Sequence, residues 1–228
     1  MLIMKKMCRI IVLILILILL NVQMAECSLK RANPIADPKI SALYIDNRNT
    51  NKYIIINRSS NKIKRYVLYQ HQMRKILFEY IQLHYKDTKD IKYINKVVDA
   101  YLKLLYRIPV DRQTVLYYIA LCSVESNFSM ESRSNRGAIG ISQVMWGVWG
   151  NVIQENYDIS RTQLVRSPFA NVYVGYKIWH NYLRKHNYNI RAANYGYLGD
   201  NCSQYNHKIT KRHSLLVKMI YDEIKRGA

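Results

Sequence analysis

The sequence predicts a mainly α-helical fold with little or no sheet, and three observations carry that expectation. Apolar residues recur at three- and four-residue steps in several stretches, alternating strand-like runs are nearly absent, and only 8 Gly and 4 Pro interrupt a chain that is 50% hydrophobic. Steps of three and four put apolar side chains on one face of a helix, and that face must be covered. A length of 228 residues suits one domain with an appendage better than two enzymes in tandem. The 20 Tyr, alongside abundant Ile, Asn and Lys, read as compositional bias.

The chain begins with Lys5, Lys6 and Arg9, continues through an unbroken aliphatic run at 10–20, and turns polar at Asn21 and Gln23. This is the layout of a secretory signal peptide, expected over residues 1–27 with cleavage near Ala25 to Cys27. The run is shorter than the roughly 18 residues of a spanning helix, and only counting through Val22 and Met24 stretches it into an uncleaved inner-membrane anchor. Glu26 precedes Cys27, where a lipoprotein signal wants a small residue. Export to the periplasm or cell envelope would expose Cys122 and Cys202 to oxidising conditions, and spacing leaves their bridging open.

Residues 28–65 mix Asn33-Pro34, Asp37-Pro38 and Asn47-Arg48-Asn49 with one short apolar run at 53–56, and read as a linker or loosely packed arm. An accessory helix is expected within 66–90, its stripe being Tyr69, Met73, Ile76, Leu77, Tyr80 and Leu83. A second helix at 91–106 carries Ile94, Val97, Val98, Tyr101 and Leu105, and Pro109 follows where a proline excludes further helix. Asp111 can accept hydrogen bonds from the first-turn amides of a third helix running through Val115, Leu116, Ile119 and Leu121. Gly137 and Gly140 break the pattern, which resumes at 170–183 and again at 214–224.

Thirty-five Lys and Arg against 15 Asp and Glu give a formal net charge of +20, so the surface attracts anionic polymers without choosing among them. A nucleic-acid binder would explain the charge but neither the export signal nor the carboxylate described next, so no nucleic-acid partner is expected. No close Cys-x-x-Cys or His-x-x-x-His spacing implies a metal, no Gly-x-x-x-x-Gly-Lys loop implies a nucleotide, and no cofactor is expected.

The chemistry-bearing stretch is 123–128 followed by 137–144. On a helix Glu125 has Leu121, Cys122 and Phe128 as neighbours, with Tyr118 a turn further back, so it stands on an apolar stripe. Burial there disfavours the carboxylate and makes the group a proton donor near neutral pH. The alternative is a helix-edge glutamate reaching water or an Arg. Gly137 and Gly140 allow backbone conformations closed to other residues, and the Gln143 amide can both donate to and accept from a sugar.

These residues resemble lytic transglycosylases with a soluble-lytic-transglycosylase catalytic domain, relatives of goose-type lysozyme. Four blocks carry the resemblance: Glu125-Ser126-Asn127-Phe128; Gly137-Ala138-Ile139-Gly140-Ile141-Ser142-Gln143-Val144; Pro168-Phe169-Ala170-Asn171-Val172-Tyr173-Val174-Gly175; and Ala192-Ala193-Asn194-Tyr195-Gly196. It implies a lysozyme-like helical domain over 91–228. Departures from the pattern are Ser142 for Met, Trp146 where Pro is common, Ser167 for Asp, and Ala193 for a Tyr that helps hold the catalytic carboxyl. Tyr195 and Tyr197 are the nearby hydroxyls that could replace it, and His213 stands about where a late family tyrosine belongs.

The activity implied is cleavage of the β-1,4 bond between N-acetylmuramic acid and N-acetylglucosamine in peptidoglycan, with Glu125 as acid and then base. Glu131 and Asp200 are poorly situated as a second carboxylate. Ser126, Gln143 and Asn194 are expected to hold sugar polar groups or the carboxyl, with Val144, Trp146, Tyr195 and Gly196 completing the substrate-binding set; Trp149 and Tyr197 are further ring candidates. The implied partners are glycan strands, with a secretion or conjugation apparatus as a second candidate. A hydrolase and a noncatalytic wall-binding scaffold on the same fold remain open alternatives.

Overall fold

Strand pairing replaces the first turn of the expected accessory helix. The computed structural model describes residues 42–45, 52–59, 62–107, 112–199 and 202–226, all within the compact unit Asp37–Ala228. The expected signal peptide and both Asp111 and Asp200 lie outside the described residues, as does part of the expected arm. Three strands, β1 (Ala42–Ile45), β2 (Lys52–Ser59) and β3 (Lys62–Tyr69), form an antiparallel sheet in that order. The backbone of β3 pairs with β2 from Ser59↔Lys62 to Lys52↔Tyr69, so helix α1 spans Gln70–His84 instead of starting at Tyr66. Gln72 accepts the Tyr69 amide proton at 2.8 Å, which fixes that start. The buried face of α1 is Met73, Ile76, Leu77, Tyr80 and Ile81; Tyr69 and Leu83, expected on it, are exposed.

Among the described residues seven further helices follow: α2 (Ile91–Arg107), α3 (Arg112–Ser126), α4 (Trp146–Tyr157), α5 (Arg161–Arg166), α6 (Pro168–Lys185), α7 (Ile190–Leu198) and α8 (Cys202–Arg226). All five expected stripe residues of α2 are buried. In α3 every residue from Thr114 to Ser123 is buried, which is how a helix that is apolar all round must sit. α8 and α1 pack against each other, α8 also covers α3, and α6 packs on α2 and α7. The fold is therefore mainly helical with little sheet, as the sequence predicts.

Polar caps set several helix starts. Ser167 accepts the Ala170 amide at 3.2 Å and Pro168 occupies the first turn of α6, so this serine does the capping work an aspartate would do. Ser160 and Gln163 form a reciprocal capping box on the short α5, and Asn189 caps α7 by accepting the Ala192 amide at 3.1 Å. Among the described residues no helix is long and apolar enough to cross a membrane.

Candidate active site

Helix α3 ends at Ser126 because Asn127 and Phe128 both take positive φ, 48° and 65°, a region that side chains beyond Gly rarely adopt. The abrupt turn drives Phe128 into the core, fully buried against Tyr80 and Tyr101. It leaves Glu125 in the last turn of the helix. Arg212 of α8 donates to the Ser123 carbonyl and to Asn127 Oδ1 at 3.2 Å, a cation placed where carbonyls at a helix C-terminus lack partners.

Glu125 is largely buried, and burial alone pushes its carboxyl up from 4.5 to about 7. Among the described residues no side chain hydrogen-bonds or ion-pairs that carboxyl. The helix-edge alternative, an Arg neutralising Glu125, is not what Arg212 does. Cys122, buried and unbridged, has its thiol pushed up to about 11, first by burial and in smaller part by Glu125. Tyr197 is also raised by burial, with Cys122 and Glu125 contributing. Glu125, Cys122 and Tyr197 thus share one electrostatic neighbourhood.

Beside Glu125 lies a hairpin of two short strands, β4 (Ala138–Ile139) and β5 (Val144–Met145), paired Ala138↔Met145 and Ile139↔Val144. Its connecting turn uses positive φ at Gly140 and Gln143, 75° and 51°. Gly140 has a second reason to lack a side chain: a Cβ there would come within 2.5 Å of the Asn171 amide. Buried Asn171 holds the turn from behind. Its Oδ1 accepts the Ser142 amide at 2.9 Å, and its Nδ2 donates to the Ile139 and Leu164 carbonyls, each at 3.1 Å.

Ser126 joins the helix to this turn by donating to the Ile141 carbonyl at 2.7 Å. Ser142 is a second junction. Its Oγ accepts from Tyr118 at 2.7 Å and lies 3.6 Å from the Cys122 sulfur, while its carbonyl accepts from Tyr197 at 2.6 Å. A Cβ at Gly175 would come within 2.4 Å of both Ser142 Cβ and the Tyr118 hydroxyl, so the small Ser142 and side-chain-free Gly175 fit each other. Ala193, where the family pattern has Tyr, is fully buried.

The remaining expected site residues divide into two groups. Gln143 is half-buried and its Nε2 donates to the Gly140 carbonyl at 2.9 Å and the Ser132 carbonyl at 3.3 Å. Trp146 opens α4 against Gly150, and Tyr195 is exposed. Val144 lies in a small apolar cluster with Ile153, Leu164, Val174 and Ile178. Asn194 is wholly buried: its Oδ1 accepts from Trp179 at 2.9 Å, and its Nδ2 donates to the Tyr117 hydroxyl at 3.1 Å and to Asn206 at 2.6 Å. Gly196 admits the Tyr182 ring, which a Cβ would meet at 2.5 Å. The fourth block therefore ties α3, α6 and α8 together around α7, with Tyr117 packing on both Trp179 and His213.

Sequence reasoning named Tyr118 and Asn171 without giving either a task, and nothing in their spacing alone reveals the turn they grip. Among the described residues no group of three His, Cys, Asp or Glu is gathered as a metal site. Residues 110–214 match the family model described as "Transglycosylase SLT domain". No curated protein and no solved structure matches the chain.

Proposed function

We propose, from the match of residues 110–214 to the transglycosylase SLT domain family, that Glu125 is the single acid–base group of a peptidoglycan lytic transglycosylase. The observation that carries the reading is the Glu125 carboxyl, raised to about 7 by burial in the last turn of α3 beside the hairpin turn. A proton donor with that affinity is half protonated near neutral pH, where both giving and retaking a proton are feasible.

The step balances without water. Glu125 gives its proton to the glycosidic oxygen as the bond from the muramic C1 breaks, releasing the N-acetylglucosamine 4-hydroxyl. The substrate acetamido group assists at C1, as in glycosidases that lack a second protein carboxylate. The Glu125 carboxylate then takes the proton of the muramic C6 hydroxyl, whose oxygen bonds to C1 and closes a 1,6-anhydro ring. A buried setting with no cation paired to the carboxyl among the described residues suits this cycle, because neither charge state is locked in.

We assign Gln143, Ser126 and Trp146 to the substrate side, along the helix end and hairpin turn, and exposed Tyr195 to ring stacking on a sugar face. Asn194, Gly196 and Val144 support these from the interior. The chain is exported by its leading segment and acts on glycan strands in the envelope, with residues 28–90 as the part open to recruitment by a secretion or conjugation apparatus. Incubating sacculi with wild type and with Glu125→Gln tests the assignment: muropeptide release by wild type and none above background by the variant, with both still pelleting with sacculi, is expected. Equal background release by both would instead favour a noncatalytic wall binder.

A further inference from the structure

A cleft of about 460 Å³ opens between the hairpin loop and α5. Its loop side is Arg133, Gly137 and Ile139, and its helix side carries Arg161, Thr162 and Arg166, with Val165 beside them. Three arginines border one cavity and, among the described residues, no acidic residue does. Among the described residues none of the three is in an ion pair. Arg133 is held in place on its own side: its Nη1 donates to the Met130 and Ser132 carbonyls, both at 2.8 Å, and its backbone bridges to Ile139. Arg161 and Arg166 are exposed.

We propose that this cleft is a binding subsite for an acidic peptide, and specifically for the carboxylates of the peptide stems on the glycan strand. Guanidinium groups present paired donors in a planar fork that matches a carboxylate or a phosphate. Half-buried Val165 adds apolar surface to the lining and Thr162 a hydroxyl; that mixture suits a peptide with small apolar side chains better than a bare phosphate. Position supports the same ligand. Asn171 binds the Ile139 carbonyl, the Leu164 carbonyl next to Val165, and the Ser142 amide, so one buried amide fixes the two cleft walls and the turn beside Glu125 as a single unit. The proposal rests on the peptidoglycan reading above.

The test uses full-length protein carrying Glu125→Gln, so that binding is measured without cleavage, on sacculi freed of phosphate polymers. The same sacculi with their carboxylates converted to amides form the second arm. Relative to this parent, Arg161→Gln/Arg166→Gln is expected to bind native sacculi about tenfold more weakly or worse, the effect of losing charge-assisted hydrogen bonds. On amidated sacculi the two proteins should bind alike. Arg161→Lys/Arg166→Lys keeps the charge but loses the fork and should fall in between. Lys185→Gln/Lys218→Gln, two exposed lysines elsewhere, controls for net charge and should cost much less.

Equal losses in the arginine and lysine pairs, or an arginine effect that survives amidation, would overturn the subsite. So would competition by inorganic phosphate, at matched ionic strength, that a free acidic stem peptide cannot reproduce. Wild-type turnover separates the two ideas: release of muropeptides with arginine-independent binding sinks the subsite alone, whereas arginine-dependent binding without any turnover sinks the lyase reading alone.

Discussion

The Tyr197 hydroxyl donates to the Ser142 carbonyl at 2.6 Å, which puts a tyrosine from the end of α7 onto the turn beside Glu125. Ala193, four positions earlier on the same helix, is buried and has no hydroxyl to offer. Ser142 also receives Tyr118 through its Oγ at 2.7 Å, so two phenols brace one residue from two helices.

Tyr197→Phe should therefore lower kcat by roughly tenfold or more with little change in KM, and lower stability by about 1 kcal/mol, the net worth of one such bond. Steady-state kinetics and thermal unfolding check both. Tyr195→Ala, at an exposed ring, should act mainly on KM, and a reversed pattern would show that Tyr197 does not position the turn.

The raised Glu125 has a stability consequence with a definite sign. Between its ordinary value of 4.5 and its folded value of about 7, the folded state holds the proton that the unfolded state has lost. Stability from this group therefore falls as pH rises through that window and is constant above it. A shift of this size corresponds to roughly 3 kcal/mol, so the stability gain of Glu125→Gln over wild type should grow from pH 4.5 to pH 7 and then level off. Urea unfolding across pH reads this difference, and kcat/KM should decline above pH 7 as the proton donor is lost.

His213 carries the opposite sign. Burial lowers it from 6.5 to about 4, so the folded state keeps it neutral while the unfolded state takes up a proton. Its contribution is present above 6.5 and is lost as pH falls toward 4. His84, lowered to about 4 by burial with a smaller contribution from Arg212, acts in the same direction. Replacing His213 with Gln should flatten the acid limb of the stability profile that wild type shows.

Gly175→Ala should be destabilising by about 1 to 3 kcal/mol, because its Cβ would overlap Ser142 Cβ and the Tyr118 hydroxyl, each at 2.4 Å. Adding Ser142→Gly makes room on one side, so the double variant should be more stable than the sum of the single effects. Additivity in that cycle would show that the two positions are not coupled.

Asn171→Ala removes the partners of the Ser142 amide and of the Ile139 and Leu164 carbonyls. Leaving buried groups unpaired costs about 1 to 3 kcal/mol for each, so this single change should lower the melting temperature more than loss of any exposed residue of the site.

Long regular stripes made α2 and α6 legible, and Val115, Leu116, Ile119 and Leu121 marked the third helix, α3. Helices α5 and α7 are short, 6 and 9 residues, and start on local caps, Ser160 with Gln163 and Asn189, whose effect shows only with the backbone in place. The β2–β3 ladder went unread because its pairing links Lys52 to Tyr69 across a stretch whose two apolar runs, 53–56 and 66–69, show no strand-like alternation. Glu125 was visible from its helical neighbours, and the turn at Gly140 from its glycines. The orientation of Asn194 toward Trp179, Tyr117 and Asn206 is a tertiary matter: its block resembles a substrate-binding motif, and only the packing of α3, α6 and α8 turns that amide inward.

Digestion of sacculi in water enriched in heavy oxygen, followed by mass spectrometry of the released muropeptides, addresses the central claim most directly. A lone Glu125 acting as acid and then base yields 1,6-anhydro ends that are lighter by one water than reducing ends and carry no solvent oxygen. Reducing ends labelled with heavy oxygen would contradict it and make the chain a hydrolase.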